Sequence, residues 1–378
     1  LHPNLIRRQP LRHRTPYVYP QPLPQDLKPL TSLRFWAALW VVLFHYRTYA
    51  EGWGWAYSLL GKGYLGVDFF FVLSGFVLAH VYGREFSAGT YRHSRFIVKR
   101  IARVYPMHIV MLAFFVALGL AAPAVGVVLD SAGRYDFRQI PAQLFLVHAW
   151  IGTGETFNYP SWSISAEFFA YLSFPVVMLL ANRPRLMAGL GLAAVFGWYF
   201  GAMLVTGKPS TWLNDWQIMR IMPEFLLGAG LRQLMAVARI PVLDRWLATP
   251  VMALGVVVLA LIDAPDWVMI AALIVLLAAA AERARSGISG ALETPFSLYL
   301  GEISYALYMV HVAVGMVWFE LAHRSLGPVT GWASIALVVV GLMLAILAAA
   351  VAEFLIERPG RRLVTSLAAR SRTQKAPR

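Results

Sequence analysis

Long apolar runs recur along this chain, and they restrict its fold more than any other feature. They cover roughly residues 31–50, 63–82, 97–121, 161–181, 186–206, 218–236, 249–263, 266–281, 296–321 and 332–356. A helix needs about 20 apolar residues to cross the hydrocarbon of a bilayer. No water is available there, so backbone N–H and C=O groups must pair within their own segment, which selects α-helices. The chain is 59% hydrophobic and 14% charged, against about 25% charged in soluble domains. The expected fold is all-α: a polytopic transmembrane helix bundle of about ten spans, with the lipid bilayer as its first partner. "QLFLVHAWIG" (143–152) is too short to span and reads as interfacial or re-entrant. "DAPD" (263–266) reads as a tight turn between two short spans.

Loop charges orient such a bundle. Lys and Arg collect in cytoplasmic loops. With the N-terminus inside, the inner segments hold Arg7, Arg8, Arg12 and Arg14, Arg84 through Arg103, Arg183, Arg185, Arg232 through Arg245, Arg283, Arg285, and the basic end from Arg358. The outer loops are close to neutral or acidic. The alternation works with both termini cytoplasmic and with 143–152 not crossing. The net charge of +14 then reflects these loops, and no nucleic acid partner is expected. Residues 1–29, with seven prolines and several arginines, read as a disordered basic cytoplasmic tail. Residues 30–362 read as one membrane domain, and 363–378 as a second basic tail. Cysteine is absent, which excludes disulfides, thiolate metal sites and a Cys nucleophile. No His/Glu set has metal-ligand spacing, so no metal is expected. No G-x-S-x-G elbow is present, which argues against a serine acyl-enzyme.

Ionisable side chains at membrane depth are costly and usually face a cavity or a partner. "LTSLRFWAALWVVLFHY" (30–46) carries Arg34 and His45. Eleven residues at 100° each bring both to one face, about 16 Å apart along the axis. Arg34 either snorkels at the interface or holds a ligand, and His45 either bonds a neighbouring helix or does chemistry. "KRIARVYP" (99–106) sets Arg100 and Arg103 on one face. They are either ordinary loop-flanking charges or a pair suited to phosphate, which guanidinium forks bind bidentately. "GYLGVDFFFVLSGFVL" (63–78) contains Asp68 on the face of Gly75, where close helix approach is possible. Asp68 caps, pairs with an arginine, or serves the site. "SWSISAEFFAYLSFP" (161–175) offers Trp162, Ser163 and Glu167. Glu167 either holds a hydroxylated acceptor or pairs structurally. "GEISYALYMVH" (301–311) carries Glu302, Ser304, Tyr308 and His311, with Glu302 opposite His311 on the helix. Glu224 is a further buried carboxylate with no obvious partner, and Glu353, Glu357 and Arg358 read as interfacial pairs.

These motifs, in this order, resemble the acyltransferase-3 family of bacterial membrane acyltransferases. The matching stretches are Arg34 with His45, "GVDFFFVLSGF" (66–76), "RIARVYP" (100–106), "SWSISAEFF" (161–169), "PEFLLGAGL" (223–231), "ISYALYMVH" (303–311) and "EFLIERPGRR" (353–362). The resemblance covers about residues 28–362. It implies a ten-helix transferase of the bacterial cytoplasmic (inner) membrane. Such an enzyme moves an acyl group, commonly acetyl, from acyl-CoA as co-substrate to a hydroxyl of a glycan or lipid-linked glycan, with no tightly bound cofactor. Positions matching Arg34, His45, Arg100 and Arg103 are functional in the family. Some members carry an extra hydrolase-like domain, which is expected to be absent here. The roles expected here are acyl-CoA binding by Arg34, Arg100 and Arg103, and base or acyl-carrier chemistry at His45. Asp68 is expected to orient His45 or bind the acceptor. Tyr308 or His311 would donate to the oxyanion, Glu167 is a further catalytic candidate that could hold the acceptor, and Trp162, Ser163, Glu224, Glu302 and Ser304 are other candidates. The alternative reading of the same buried His, Asp and Glu is a proton-coupled transporter or flippase.

Overall fold

A computed structural model describes residues 22–49, 54, 56–124, 132–151, 156–207 and 217–373. Each of the ten predicted segments is a helix: α1 (Lys28–Tyr46), α2 (Leu65–Ser87), α3 (His93–Ala124), α4 (Trp162–Met178), α5 (Pro184–Thr206), α6 (Gln217–Val237), α7 (Ala248–Leu261), α8 (Asp266–Arg285), α9 (Pro295–Leu326) and α10 (Trp332–Ala352). The predicted ends move by up to five residues, as at Ser87 and Leu326. The helices run on through Arg84 and Glu85, or His323 and Arg324, where apolar content stops but backbone bonding does not. Prolines sit in the first turn of α1, α5 and α9, where the missing N–H is no loss. Gly207, at φ 65°, ends α5 in the left-handed region, which glycine enters without strain.

Among the described residues, six helical stretches are long and apolar enough to cross a membrane, and Ala248–Leu261 is a shorter apolar helix. Helices α1, α4 and α6 fall outside that set. They are the helices carrying Arg34 and His45, Ser163 and Glu167, and Arg220 and Glu224. Polar function and membrane hydropathy compete for the same residues.

Helices α1 and α2 stand between two apolar cores. Phe35, Ala38, Val41 and Val42 of α1 join a cluster with Phe71 of α2 and residues of α3, α4, α9 and α10. Leu30, Leu33, Ala37 and Phe44 join another with Phe69 and Val72 of α2, and with α5 to α8. Two glycine contacts set the spacing. A Cβ on Gly228 of α6 would sit 1.8 Å from the Val72 carbonyl oxygen, and one on Gly75 of α2 would sit 2.0 Å from that of Phe225. Helices α2 and α6 thus touch backbone to backbone, the arrangement small residues permit. Gly301 does the same for α9 against Thr31 of α1, at 2.1 Å.

Among the described residues, the segment after α3 leads through two 3-10 turns into a five-residue α-helix, Ile140–Leu144. It turns inward through Leu146, at φ 56°, and is pinned to α4. The Ala149 N–H donates to Ser165 Oγ at 3.0 Å, and the Trp150 indole donates to the Ser165 carbonyl at 2.8 Å. "DAPD" is a tight turn, with Asp263 at φ 52°.

The expected N-terminal tail differs in part. Residues 1–21 lie outside the described residues. Leu23 and Leu27 are buried, and helix α1 already begins at Lys28, so the bundle starts before residue 30. The expected tail from 363 is helical as far as Thr373. A π-helical turn, Glu353–Glu357, leads from α10 into α11 (Arg358–Thr373).

Gly228→Val should force α2 and α6 apart and lower stability by about 1–3 kcal/mol. Gly255→Ala, with open space around its Cβ, should be neutral or stabilising. Thermal unfolding monitored by size-exclusion in detergent compares the two.

Candidate active site

Two cavities meet inside the bundle. The larger, about 490 Å3, is lined by Arg34 of α1, Ser74 of α2, Arg100 and Arg103 of α3, Glu167 of α4 and Tyr308 of α9, among others. The smaller, about 30 Å3, is lined by Val41, Phe44 and His45 of α1, with Tyr64, Tyr159, Trp162, Arg220 and Tyr308. Val67 and Tyr308 wall both, so the arginine-lined cavity and the chamber at the His45 ring adjoin across these two side chains.

At the arginine end, Arg103 Nη1 lies 2.8 Å from Glu357 Oε1. Arg100 lies against the rings of Phe96, Tyr82 and Tyr171 at 5.7–6.0 Å. Arg103 Nη2 and Arg100 Nε are buried without a hydrogen-bond partner among the described residues. Buried guanidinium N–H groups without acceptors are costly, and an anion in the cavity would supply them. Midway, Ser74 Oγ donates to Glu167 Oε1 at 2.6 Å. Near the shared wall, Ser163 Oγ lies 2.7 Å from Tyr308 Oη, and both hydroxyls reach the Pro160 carbonyl, at 3.0 and 2.9 Å.

His45 Nδ1 lies 2.9 Å from His311 Nε2, and His311 Nδ1 lies 2.7 Å from the Tyr308 carbonyl oxygen. These contacts fix the tautomers. A carbonyl only accepts, so His311 Nδ1 carries hydrogen. Neutral His311 then has a bare Nε2, and the hydrogen between the rings belongs to His45 Nδ1. His45 Nε2 keeps its lone pair. Tyr46 Oη donates to the His311 carbonyl at 2.6 Å and ties α1 to the same turn of α9.

His311 is fully buried behind His45 and outside the lining of either cavity. Both its nitrogens are engaged, which leaves no donor for an oxyanion. Asp68 does not orient His45, because its two oxygens face Arg220 Nε and Nη2 at 2.6 and 2.5 Å. Glu224 has a partner after all: its Oε1 lies 2.7 Å from Tyr199 Oη, which also bonds Asp68. Trp162 lines the smaller chamber, while Ser163, Glu167, Glu302 and Ser304 line the larger cavity. Ser304 Oγ donates to the Gly301 carbonyl at 2.7 Å. Glu302 is exposed, 3.7 Å from Arg358. Arg358 also bonds Glu353 at 2.5 Å, as expected, but Glu357 turns inward to Arg103.

Sequence motifs alone do not single out Arg220, Tyr199, Ser74 or the Arg103–Glu357 pair as functional. Arg220 stands four residues before Glu224 in "RIMPE" (220–224), a same-face spacing that could have drawn attention to it. Tyr199 and Ser74 carry no such signal.

A family model described as an acyltransferase domain, acyltransferase-3, matches residues 29–353. The chain belongs to that family. Its relatives include the acyltransferase MdmB of Streptomyces mycarofaciens, 29% identical over 93% of this chain and 97% of the relative. A candidate O-acetyltransferase of Staphylococcus aureus strain COL is 24% identical over 75% of this chain, which matches 50% of that protein's length. Protein 2 of the picA locus of Rhizobium radiobacter is 38% identical over 28% of this chain and 61% of its own. No solved structure matches.

Arg103→Ala leaves the Glu357 carboxylate, 3% exposed, without its cation. Breaking a fully buried pair costs about 3–5 kcal/mol. Arg103 is 24% exposed, so solvent screening reduces this to about 1–3 kcal/mol. Arg103→Ala/Glu357→Gln should recover most of that stability in thermal unfolding.

Proposed function

We propose that this acyltransferase moves an acetyl group from cytoplasmic acetyl-CoA to a hydroxyl of a cell-surface or exported glycan. In this reading the chain crosses the bacterial cytoplasmic membrane about ten times, with both ends inside. The observation carrying the proposal is the arrangement of two adjoining cavities, one lined by Arg34, Arg100 and Arg103 and the other by His45, with Val67 and Tyr308 in the wall of both. Its polarity suits a molecule with an anionic head and a long, weakly polar arm.

The arginines hold the donor's phosphates, where buried N–H groups lack acceptors. Glu357 balances Arg103 while no donor is bound. The pantetheine arm runs past the Ser74–Glu167 pair, whose oxygens can accept from its amides. The thioester passes Tyr308 and enters the chamber. The arginine-to-histidine distance along α1, about 16 Å, matches what such an arm must span.

His45 Nε2 accepts the proton of the acceptor hydroxyl as its oxygen attacks the thioester carbon. His45 becomes an imidazolium whose Nδ1–H remains bonded to His311. Collapse of the intermediate re-forms the carbonyl and expels the CoA thiolate, which takes the proton from His45. His311 acts as a positioning residue, holding the His45 tautomer as a carbonyl-anchored imidazole can.

The test is donor turnover by the purified chain in nanodiscs with radiolabelled acetyl-CoA and a panel of glycan acceptors. His45→Ala should reduce label transfer by about 100- to 10,000-fold. Arg100→Gln and Arg103→Gln should raise the KM for acetyl-CoA and change kcat less. Absence of acetyl-CoA binding or turnover in the wild type would overturn the reading.

A further inference from the structure

Building on that transfer reading, we propose that Arg220 is a second catalytic group of the chamber. It donates Nη1–H to the thioester carbonyl oxygen as negative charge develops there, held in place by Asp68, Tyr199 and a protonated Glu224.

The geometry begins with the guanidinium. Arg220 is buried and gives Nε and Nη2 to Asp68 as a fork, at 2.6 and 2.5 Å. Nη1 makes no protein hydrogen bond among the described residues. Arg220 lines the same 30 Å3 chamber as His45. The rings of Trp162 and Tyr64, 5.5 and 6.0 Å from the guanidinium carbon, flank it. A purely structural ion pair has no need to leave one nitrogen facing a cavity. In so small a chamber, a group that reaches His45 also reaches Arg220.

The hydrogen count fixes the rest. Tyr199 Oη contacts one oxygen of Asp68 and, at 2.7 Å, Glu224 Oε1. Tyrosine has a single hydroxyl hydrogen, so two ionised carboxylates would leave one oxygen–oxygen contact without a proton. One carboxyl group must supply it. Asp68 already faces two guanidinium N–H groups and is the ionised one. The other oxygen of Glu224 has no donor beside it, and the Asp68 carboxylate stands within hydrogen-bond reach of the same carboxyl group, surroundings that suit an acid. The hydrogens then run one way, from Glu224 to Tyr199 to Asp68, and Asp68 also accepts from Arg220.

The cluster carries one positive and one negative charge, the neutrality that burial in a low-dielectric bundle demands. The donors aimed at the carbonyl are therefore set before substrate arrives, and they need not reorganise as the oxyanion forms. The hydroxyl oxygen bonds to the thioester carbon, the carbonyl electron pair moves to oxygen beside Arg220, and the hydroxyl proton goes to His45 Nε2. Collapse reverses the second movement and breaks the carbon–sulfur bond. No further reactant is needed.

Asp68→Asn/Arg220→Gln tests the guanidinium while keeping the cluster neutral, so loss of fold does not confound the result. In nanodiscs its acetyl-CoA kcat should fall about 100- to 1,000-fold, with the KM for acetyl-CoA within about threefold and unfolding near that of the wild type. Glu224→Gln, which keeps a hydrogen donor toward Tyr199, should restore activity that Glu224→Leu loses. Infrared spectra of the wild type should show a protonated-carboxyl band, constant across the neutral pH range and absent from Glu224→Gln. A double variant with wild-type kcat overturns the role of Arg220, as does one altered only in KM. Absence of the carboxyl band overturns the protonated Glu224. Wild-type protein inert toward acetyl-CoA overturns the transfer reading itself, before any variant is compared.

Discussion

The contact between His45 and His311 is the interaction on which the site depends. It requires α1 and α9 to pack closely at that level, because a hydrogen bond of 2.9 Å tolerates little separation. Gly301 against the Thr31 carbonyl brings the helices together at one end, and Tyr46 bonded to the His311 carbonyl closes them at the other. The Tyr308 carbonyl then decides which nitrogen of each ring carries hydrogen. A backbone acceptor inside a helix cannot move or change its protonation, so it anchors the pair firmly.

Charge neutrality organises the surroundings. Buried charges in this bundle come in close pairs: Asp68 with Arg220, Glu357 with Arg103, Asp266 with Lys62 and Glu282 with Arg285. Pairing is what makes them tolerable away from water. Arg34 and Arg100 make no ion pair among the described residues, and both line the larger cavity. The protein thus balances its charge wherever helices pack. It leaves positive charge where the cavity opens, which suits an anionic ligand and supports the proposed direction of donor entry.

What the sequence makes legible and what it hides divide along distance. Arg34 and His45 on one face of α1, Asp68 beside the close contact at Gly75, and the turn at "DAPD" were all legible, since each depends on spacing within one segment. The partner of Asp68 was not. Arg220 lies 152 residues away, and nothing local distinguishes its pairing with Asp68 from pairing with the nearer Glu224. His311 was visible as a buried histidine, but its role turned on which helix faced it. Glu357 looked interfacial because it adjoins Arg358, and the π-helical turn rotated it toward Arg103 instead.

The sequence by itself determined that the chain is helical, which segments are apolar, and which polar residues interrupt them. Those follow from local hydrogen bonding and periodicity, which a segment settles within itself. Only the tertiary structure decided that the arginines and His45 line adjoining cavities, that His311 stands behind His45, and that Asp68, Tyr199, Arg220 and Glu224 form one network. Those outcomes depend on how helices far apart in sequence rotate and approach, and packing at a few glycines, with the need to pair buried charge, sets both.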